Sequence, residues 1–392
     1  MIALLLSRGL GALGFQILTV WMSFQVYRTT GSYLAMGSLG LGFFIANLIS
    51  LLFGGFIVDR FFRRSGFALF LLQSSLALLA TLMFFGFSDS PRALLAFAMA
   101  TSFLRQIRSI LYVKTLSGVV SRGGSSASLA KWNVFSWQSA LFLGPLLFSR
   151  TELAPAIAVA CLALSAIVLL MKSEVIKESG EVIVPEIPKA VWLEALRTGW
   201  LSFRNSPVAF KAWVADSLVM LFVGSSALLP FLLARHGINP HEMGTVRGMI
   251  AFGAMFASFG LPVRWISQHT RRLFSVSLLG IGILTMGLIA APGLTAILAI
   301  ALLIGFFDGI SVVVRDEWLL RSIPRESMGS VAAVTLLMIS VSDDLGDFRA
   351  GVFAGWIGLN ATLLLGSALA VAAGLAYRTP AREAVRLEQA HS

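Results

Sequence analysis

Cysteine is nearly absent: Cys161, the single one, lies in an apolar run. An intrachain disulfide is excluded, and the thiol reads as a small buried side chain rather than a reactive one. Charge is also scarce. Only 12% of residues are charged against 57% hydrophobic, where soluble domains carry about a quarter charged. His236, His241, His269 and His391 are scattered over loops and the tail. His236 and His241 could share a loop around a metal ion, but no cluster of acids and cysteine accompanies them. Neither a nucleophile–base pair nor a metal-ligand constellation is present, so no catalytic residue, no metal and no cofactor is expected. Residues 1–7 lack a basic stretch and a cleavage site, so the first apolar run reads as an uncleaved span.

What the chain has is long apolar runs. About 20 apolar residues cross ~30 Å of hydrocarbon. Runs between polar breaks predict spans at 5–26, 33–56, 67–87, 93–115, 126–148, 153–171, 207–233, 243–263, 273–291, 295–318, 328–350 and 354–376. Lipid leaves a lone strand's backbone unsatisfied, so the spans are expected to be helices. The expected fold is an all-α integral membrane protein of twelve transmembrane helices. A formal charge of +11 could suggest nucleic acid, but the Lys and Arg fall mostly in short loops. One set of loops holds Arg60, Arg63, Arg64, Lys114, Arg122, Lys172, Arg264, Arg271, Arg272, Arg321 and Arg325; the other holds little beyond Arg28, Arg92, Arg150 and Arg235. The positive-inside rule makes the first set cytoplasmic and puts both termini inside, and no nucleic-acid partner is expected.

Buried charge is segregated by half. The basic residues of the first six spans are Arg105 and Arg108, with Arg8 and Lys131 nearer the ends, while Asp59, Asp89 and Glu152 all sit in expected loops. The second six spans carry Asp216, Asp308, Asp343 and Asp344. A charge at span depth costs roughly 2.5–3.5 kcal/mol on insertion scales. Opposite signs kept on opposite halves imply a polar, water-reachable route, the anatomy of a transporter rather than of a scaffold or receptor.

The expected organisation is a six-span half at 1–171, a cytoplasmic connection at 172–206, a second half at 207–377 and a tail at 378–392. Within the connection, Val191, Leu193, Leu196, Trp200 and Leu201 fall near one face, as on an amphipathic helix at the membrane surface. A weak repeat at an offset of 203 lays Phe103-Leu104-Arg105 over Phe306-Phe307-Asp308. Parallel half repeats of this kind occur in secondary transporters.

The run Gly55-Phe56-Ile57-Val58-Asp59-Arg60-Phe61-Phe62-Arg63-Arg64 resembles the signature loop of the major facilitator superfamily, Gly-x3-Asp-Arg-x-Gly-x-Arg-Arg, with Phe62 in place of the second glycine. Gly144-Pro145 resembles the helix-kinking core of that superfamily's antiporter motif, although Ser136, Ala140 and Phe148-Ser149 replace its other glycines. Three further stretches are similar to the bacterial branch that includes enterobactin-type siderophore exporters. They are Gln16-Ile17-Leu18 onward to Thr30-Gly31-Ser32, then Phe307-Asp308-Gly309-Ile310-Ser311, then Ser342-Asp343-Asp344-Leu345-Gly346-Asp347. The resemblance implies the major facilitator fold, with Gly55, Asp59, Arg60, Arg63 and Arg64 as the conformational-switch loop.

Arg105 and Arg108 are three apart, hence on one helix face, and Arg105 lies about 18 Å into its span at 1.5 Å per residue. Guanidinium forks bind carboxylate or phosphate. The substrate-binding candidates are Arg105 and Arg108, with Gln16, Asn133 and Gln138 as polar lining. Asp216, Asp308, Asp343, Asp344 and Arg315 are the candidates for proton coupling or gating, with Asp308 and Arg315 two turns apart on one face. Asp347 and Arg349 read as a solvated mouth, and Asp316 and Glu317 as part of a network with Arg321 and Arg325. The function this suggests is proton-coupled efflux, by antiport, of a small anionic metabolite such as a siderophore from the bacterial inner membrane. The alternative is a broad-specificity multidrug pump, which the C-terminal acids would suit. The expected partners are the substrate, protons and the lipid bilayer, with the protein monomeric.

Overall fold

The computed structural model describes residues 2–61, 65–121, 126–171, 189–224, 226–260, 268–323 and 327–378, and among these no strand occurs. The helices are α1 Ile2–Thr30, α2 Tyr33–Phe61, α3 Ser65–Leu82, α4 Pro91–Ser121, α5 Ser126–Arg150, α6 Ala154–Met171, α7 Lys189–Arg204, α8 Pro207–Val223, α9 Leu229–Arg235, α10 Met243–Gly260, α11 Thr270–Ile289, α12 Leu294–Ser322, α13 Met328–Ile357 and α14 Leu359–Arg378. Each expected span corresponds to one of these, except that 207–233 is divided between α8 and α9. Among the described residues, nine helical stretches are long and apolar enough to cross a membrane. The expected spans outside that set, α5, α10 and α13, carry polar residues such as Gln138, Arg247 and Asp343.

Side chains left outside make the same point. On α3, Phe67, Leu71, Leu78 and Leu82 recur at helical spacing, all exposed. Such a stripe fits lipid tails and would be a liability in water.

The chain divides into two compact units, Met1–Pro188 with Asn239–Gly248, and Lys189–Ile238 with Met249–Ser392. The second unit therefore begins at Lys189, inside the connection expected at 172–206. The cause is packing: α7 lies against α13, where Gly199 leaves room for the Ser330 carbonyl, and Phe203 is fully buried with Trp213, Leu319 and Val331. Trp200 and Leu201 remain exposed on this helix.

In the first unit α1 packs on α5 and α6, α2 on α4, and α3 on α4 and α6. Apolar burial gives helices little reason to associate inside lipid, so small residues and hydrogen bonds must do more. Ser7 Oγ donates to the Ser165 carbonyl at 3.0 Å, and Ser165 Oγ returns a bond to the Ser7 carbonyl at 2.6 Å. In the second unit α11 packs on α12 and α14, and α13 on α7 and α8. There α10 and α12 meet backbone to backbone, because Gly305 presents no Cβ to the Ile250 carbonyl.

Candidate functional site

The first unit gathers cationic side chains around one small cavity. Along α4, Arg105, Arg108, Ser109 and Tyr112 follow the i, i+3, i+4, i+7 spacing of a single face. Along α1, Arg8 and Ala12 do the same one turn apart. These residues and Trp137 of α5 enclose about 30 Å³, room for about two waters. Two guanidiniums are held by ring faces: Arg8 lies over Tyr112 at 4.5 Å, and Arg105 over Phe15 at 4.9 Å. Arg105 also donates to Asn47 Oδ1 at 3.5 Å.

Arg108 is the most deeply buried of the three. It is only 8% exposed, and its Nε, like that of Arg105, has no hydrogen-bond partner. Its terminal nitrogen fills the space left by Gly11, 2.6 Å from where a Cβ would stand, beside the buried amide of Gln73. Among the described residues neither Arg8 nor Arg108 forms an ion pair with a carboxylate. An uncompensated buried guanidinium is costly, and two neighbours of like charge add to the cost.

The second unit holds the opposite arrangement. Asp216 of α8, 1% exposed, forms an ion pair with Arg315 of α12 and accepts from Ser311 Oγ at 2.8 Å. The Arg315 guanidinium lies 3.9 Å over the Trp213 ring. Ion pair, hydrogen bond and ring face support this pair, although the Arg315 Nε has no hydrogen-bond partner. Asp308 was expected to face Arg315, yet Arg315 reaches across to Asp216 because the two helices pack side by side. Asp308 is half-buried, and its backbone carbonyl accepts from Ser311 Oγ at 3.0 Å. Asp343 is exposed in the middle of α13, while the adjacent Asp344 is half-buried.

Long apolar helices carrying buried charge in this distribution suit a membrane transporter, and the sequence matches the Major Facilitator Superfamily over residues 4–343. The chain belongs to the Major Facilitator Superfamily.

Solved structures of that superfamily's type share its fold. The peptide transporter POT in complex with sulfate is 13% identical with a TM-score of 0.72, covering 96% of this chain and 93% of that one. A bacterial homologue of the iron transporter ferroportin in an inward-facing state is 16% identical with a TM-score of 0.67, covering 97% and 98%. The nucleoside transporter NupG is 15% identical with a TM-score of 0.64, covering 95% and 98%. No curated protein matches the sequence.

Of the superfamily's signature loop, Arg63 and Arg64 lie outside the described residues, as do the side chains of Gly55, Asp59 and Arg60. The backbone is helical through Phe61, so the first part of the expected loop is the last turns of α2. Pro145 sits inside α5, and Gly144 lets Gln16 of α1 approach to 2.7 Å of its missing Cβ. Gln16 thus belongs to the α1–α5 crossing. Gln138 is half-buried and does not line the cavity, and the Asn133 side chain lies outside the described residues. Arg8, Tyr112 and Trp137 complete the cluster instead. Tyr112 was legible, standing seven residues after Arg105 and four after Arg108.

Asp347 and Arg349 are not a solvated mouth. They close the break between α8 and α9. Arg349 donates to the Leu221 and Phe222 carbonyls at 3.1 and 2.7 Å, groups orphaned where α8 ends. Asp347 accepts from Ser226 Oγ at 2.7 Å and the Ala227 amide at 3.1 Å, where the next turn begins. Each charge matches the helix end it meets. Arg349→Met or Asp347→Asn should lower protection of the amides at 221–224 and 226–228 by about 1–2 kcal/mol, read by hydrogen exchange. Unchanged exchange in both variants would refute the clasp.

Glu317 pairs with Arg321 at 2.7 Å, while Asp316 lies 3.8 Å from Arg315 Nε and Arg325 is outside the described residues. His236 bonds the Leu288 carbonyl at 3.0 Å, and His241 meets Phe24 edge to face and lies tilted against Phe148, with ring centroids 5.1 and 4.3 Å away. Burial holds the His241 imidazole below its usual range, partly offset by Glu242. Among the described residues no group of three potential ligands could hold a metal. His241 borders a second cavity of about 650 Å³, with Trp21, Phe84, Arg28 and Arg150 on its walls.

Proposed function

We propose that this superfamily member is a proton-coupled exporter of a small anionic metabolite, with a siderophore of carboxylate or catecholate type as the leading substrate. One observation carries the anion: Arg108 is buried without a carboxylate partner, in a cavity shared with Arg8 and Arg105. A charge left so costly has a reason to persist if a ligand supplies the missing sign. The alternative, a multidrug pump for organic cations, would have to admit its substrates against this positive cluster. Among the acids, Asp343 suits proton uptake best, because its side chain is exposed at mid-helix without a committed cation while Asp216 is paired with Arg315. Export, the siderophore class and a bacterial inner membrane rest on the resemblance of the motif stretches.

The test uses everted vesicles energised by a proton gradient. Labelled siderophore should accumulate, and a protonophore or Asp343→Asn should reduce accumulation at least about tenfold. Accumulation that survives gradient collapse would reject proton coupling. Accumulation of cationic dyes but of no anion would favour the drug pump.

A further inference from the structure

We propose that His241 is the pin of a pH-sensitive clasp, and that its protonation frees the segment Asn239–Gly248 from the first unit. The chain enters this segment from the second unit at Ile238 and returns to it at Met249. Between those points it is packed on the C-terminal half of α5. Ser149 Oγ donates to the His241 carbonyl at 2.8 Å and accepts from the Thr245 amide at 2.9 Å. Gly244 leaves room for the Pro145 carbonyl, and a Cβ on Gly248 would stand 3.2 Å from the Phe142 carbonyl. Asn239 Oδ1 accepts from the His241 amide at 3.0 Å, which fixes the turn that carries the imidazole.

These bonds do not titrate near neutral pH, whereas an imidazole does. The His241 ring is lodged between Phe24 of α1 and Phe148 of α5, and neither ring can pair with a second proton on it. The charged groups around it are mixed. Glu242 accepts from Thr245 Oγ1 at 2.6 Å and lies 4.0 Å from Arg150, while Glu152 stands on the turn after α5. Arg28 and Arg150 line the same cavity, and Arg28 pairs with Asp89 at 3.4 Å. Burial is the largest influence on the imidazole and favours its neutral form; Glu242, the Ser149 backbone and Glu152 offset it in part. A released histidine titrates near about 6.5, above the clasped one. The clasp therefore holds at full strength above that pH and loosens as pH falls through it, by at most about tenfold per unit for one proton. Asn239 and His241 both form wall of the 650 Å³ cavity, so release widens it on that side.

The test is hydrogen exchange of the amides of Asn239–Gly248 in the full-length protein in nanodiscs, between about pH 8 and about pH 5, corrected for the intrinsic effect of pH on exchange. Opening of the segment is expected to rise at least about threefold in acid, while the amides of α11 do not follow. His241→Phe keeps an uncharged ring in place and should flatten the profile. Glu152→Gln removes a carboxylate that favours the imidazolium and should steepen it. Thermal unfolding at the alkaline end reports whether each variant is folded. A flat wild-type profile, stronger protection in acid, or a matching rise in α11 would overturn the proposal. So would an acid response that survives in His241→Phe.

Discussion

Arg108→Met is expected to raise the unfolding temperature of the ligand-free protein while abolishing anion binding. The two effects have one origin. Arg108 is held in a nearly dry position with Nε unsatisfied and with Arg8 and Arg105 on the same cavity. Methionine is unbranched, fits irregular space and carries no charge, so the substitution removes both desolvation and like-charge repulsion. Exchanging buried charge for well-packed apolar groups has gained 1–4 kcal/mol in other systems, and about 1–3 kcal/mol is the expected gain here. Loss of a charged anchor should weaken anion affinity by about 100-fold or more, equivalent to roughly 3 kcal/mol. Arg108→Lys separates charge from shape: it should retain the low stability and bind anions weakly, because an ammonium lacks the planar fork. A fall in the unfolding temperature of the methionine variant would make Arg108 a structural residue and remove the main support for an anionic substrate.

The opposite outcome is expected for Arg315→Leu, which should destabilise the second unit by about 3–5 kcal/mol by leaving the Asp216 carboxylate buried without its cation. Asp216→Asn strands the guanidinium instead and should cost a similar amount, although Trp213 beneath the ring plane retains part of its support. The double variant Asp216→Asn with Arg315→Leu should recover much of the loss, since no charge then remains unpaired. A double-mutant cycle on thermal unfolding in nanodiscs measures this coupling directly. If Asp216→Asn instead left stability unchanged and stopped transport, the pair would belong to the transport cycle, and Asp343 would lose its claim to the proton.

Much of this architecture could be read from the chain. Helical class and superfamily follow from apolar run length and from the Gly55–Arg64 stretch, because lipid admits so few backbone solutions. The face shared by Arg105 and Arg108 was equally plain from their spacing. What the sequence withheld are the pairings between helices. Asp216 and Arg315 lie 99 residues apart, and helix periodicity relates only residues on the same helix. Arg8 stands near the start of its span, as its place in the chain implies, but its position over the Tyr112 ring depends on how α1 packs on α4. The role of Asp347 and Arg349 is hidden as long as 207–233 reads as one unbroken helix. The Gly224-Ser225-Ser226 run in an apolar span was the available sign of a break, and a break creates the backbone groups those two residues satisfy.

That break has a mechanical corollary. Asp347 and Arg349 stand two residues apart on one rigid rod, yet one holds the stump before the gap and the other the stump after it. A slide or roll of α13 therefore bears on both stumps at once, so the two pieces of the span are tied to the position of a single neighbour.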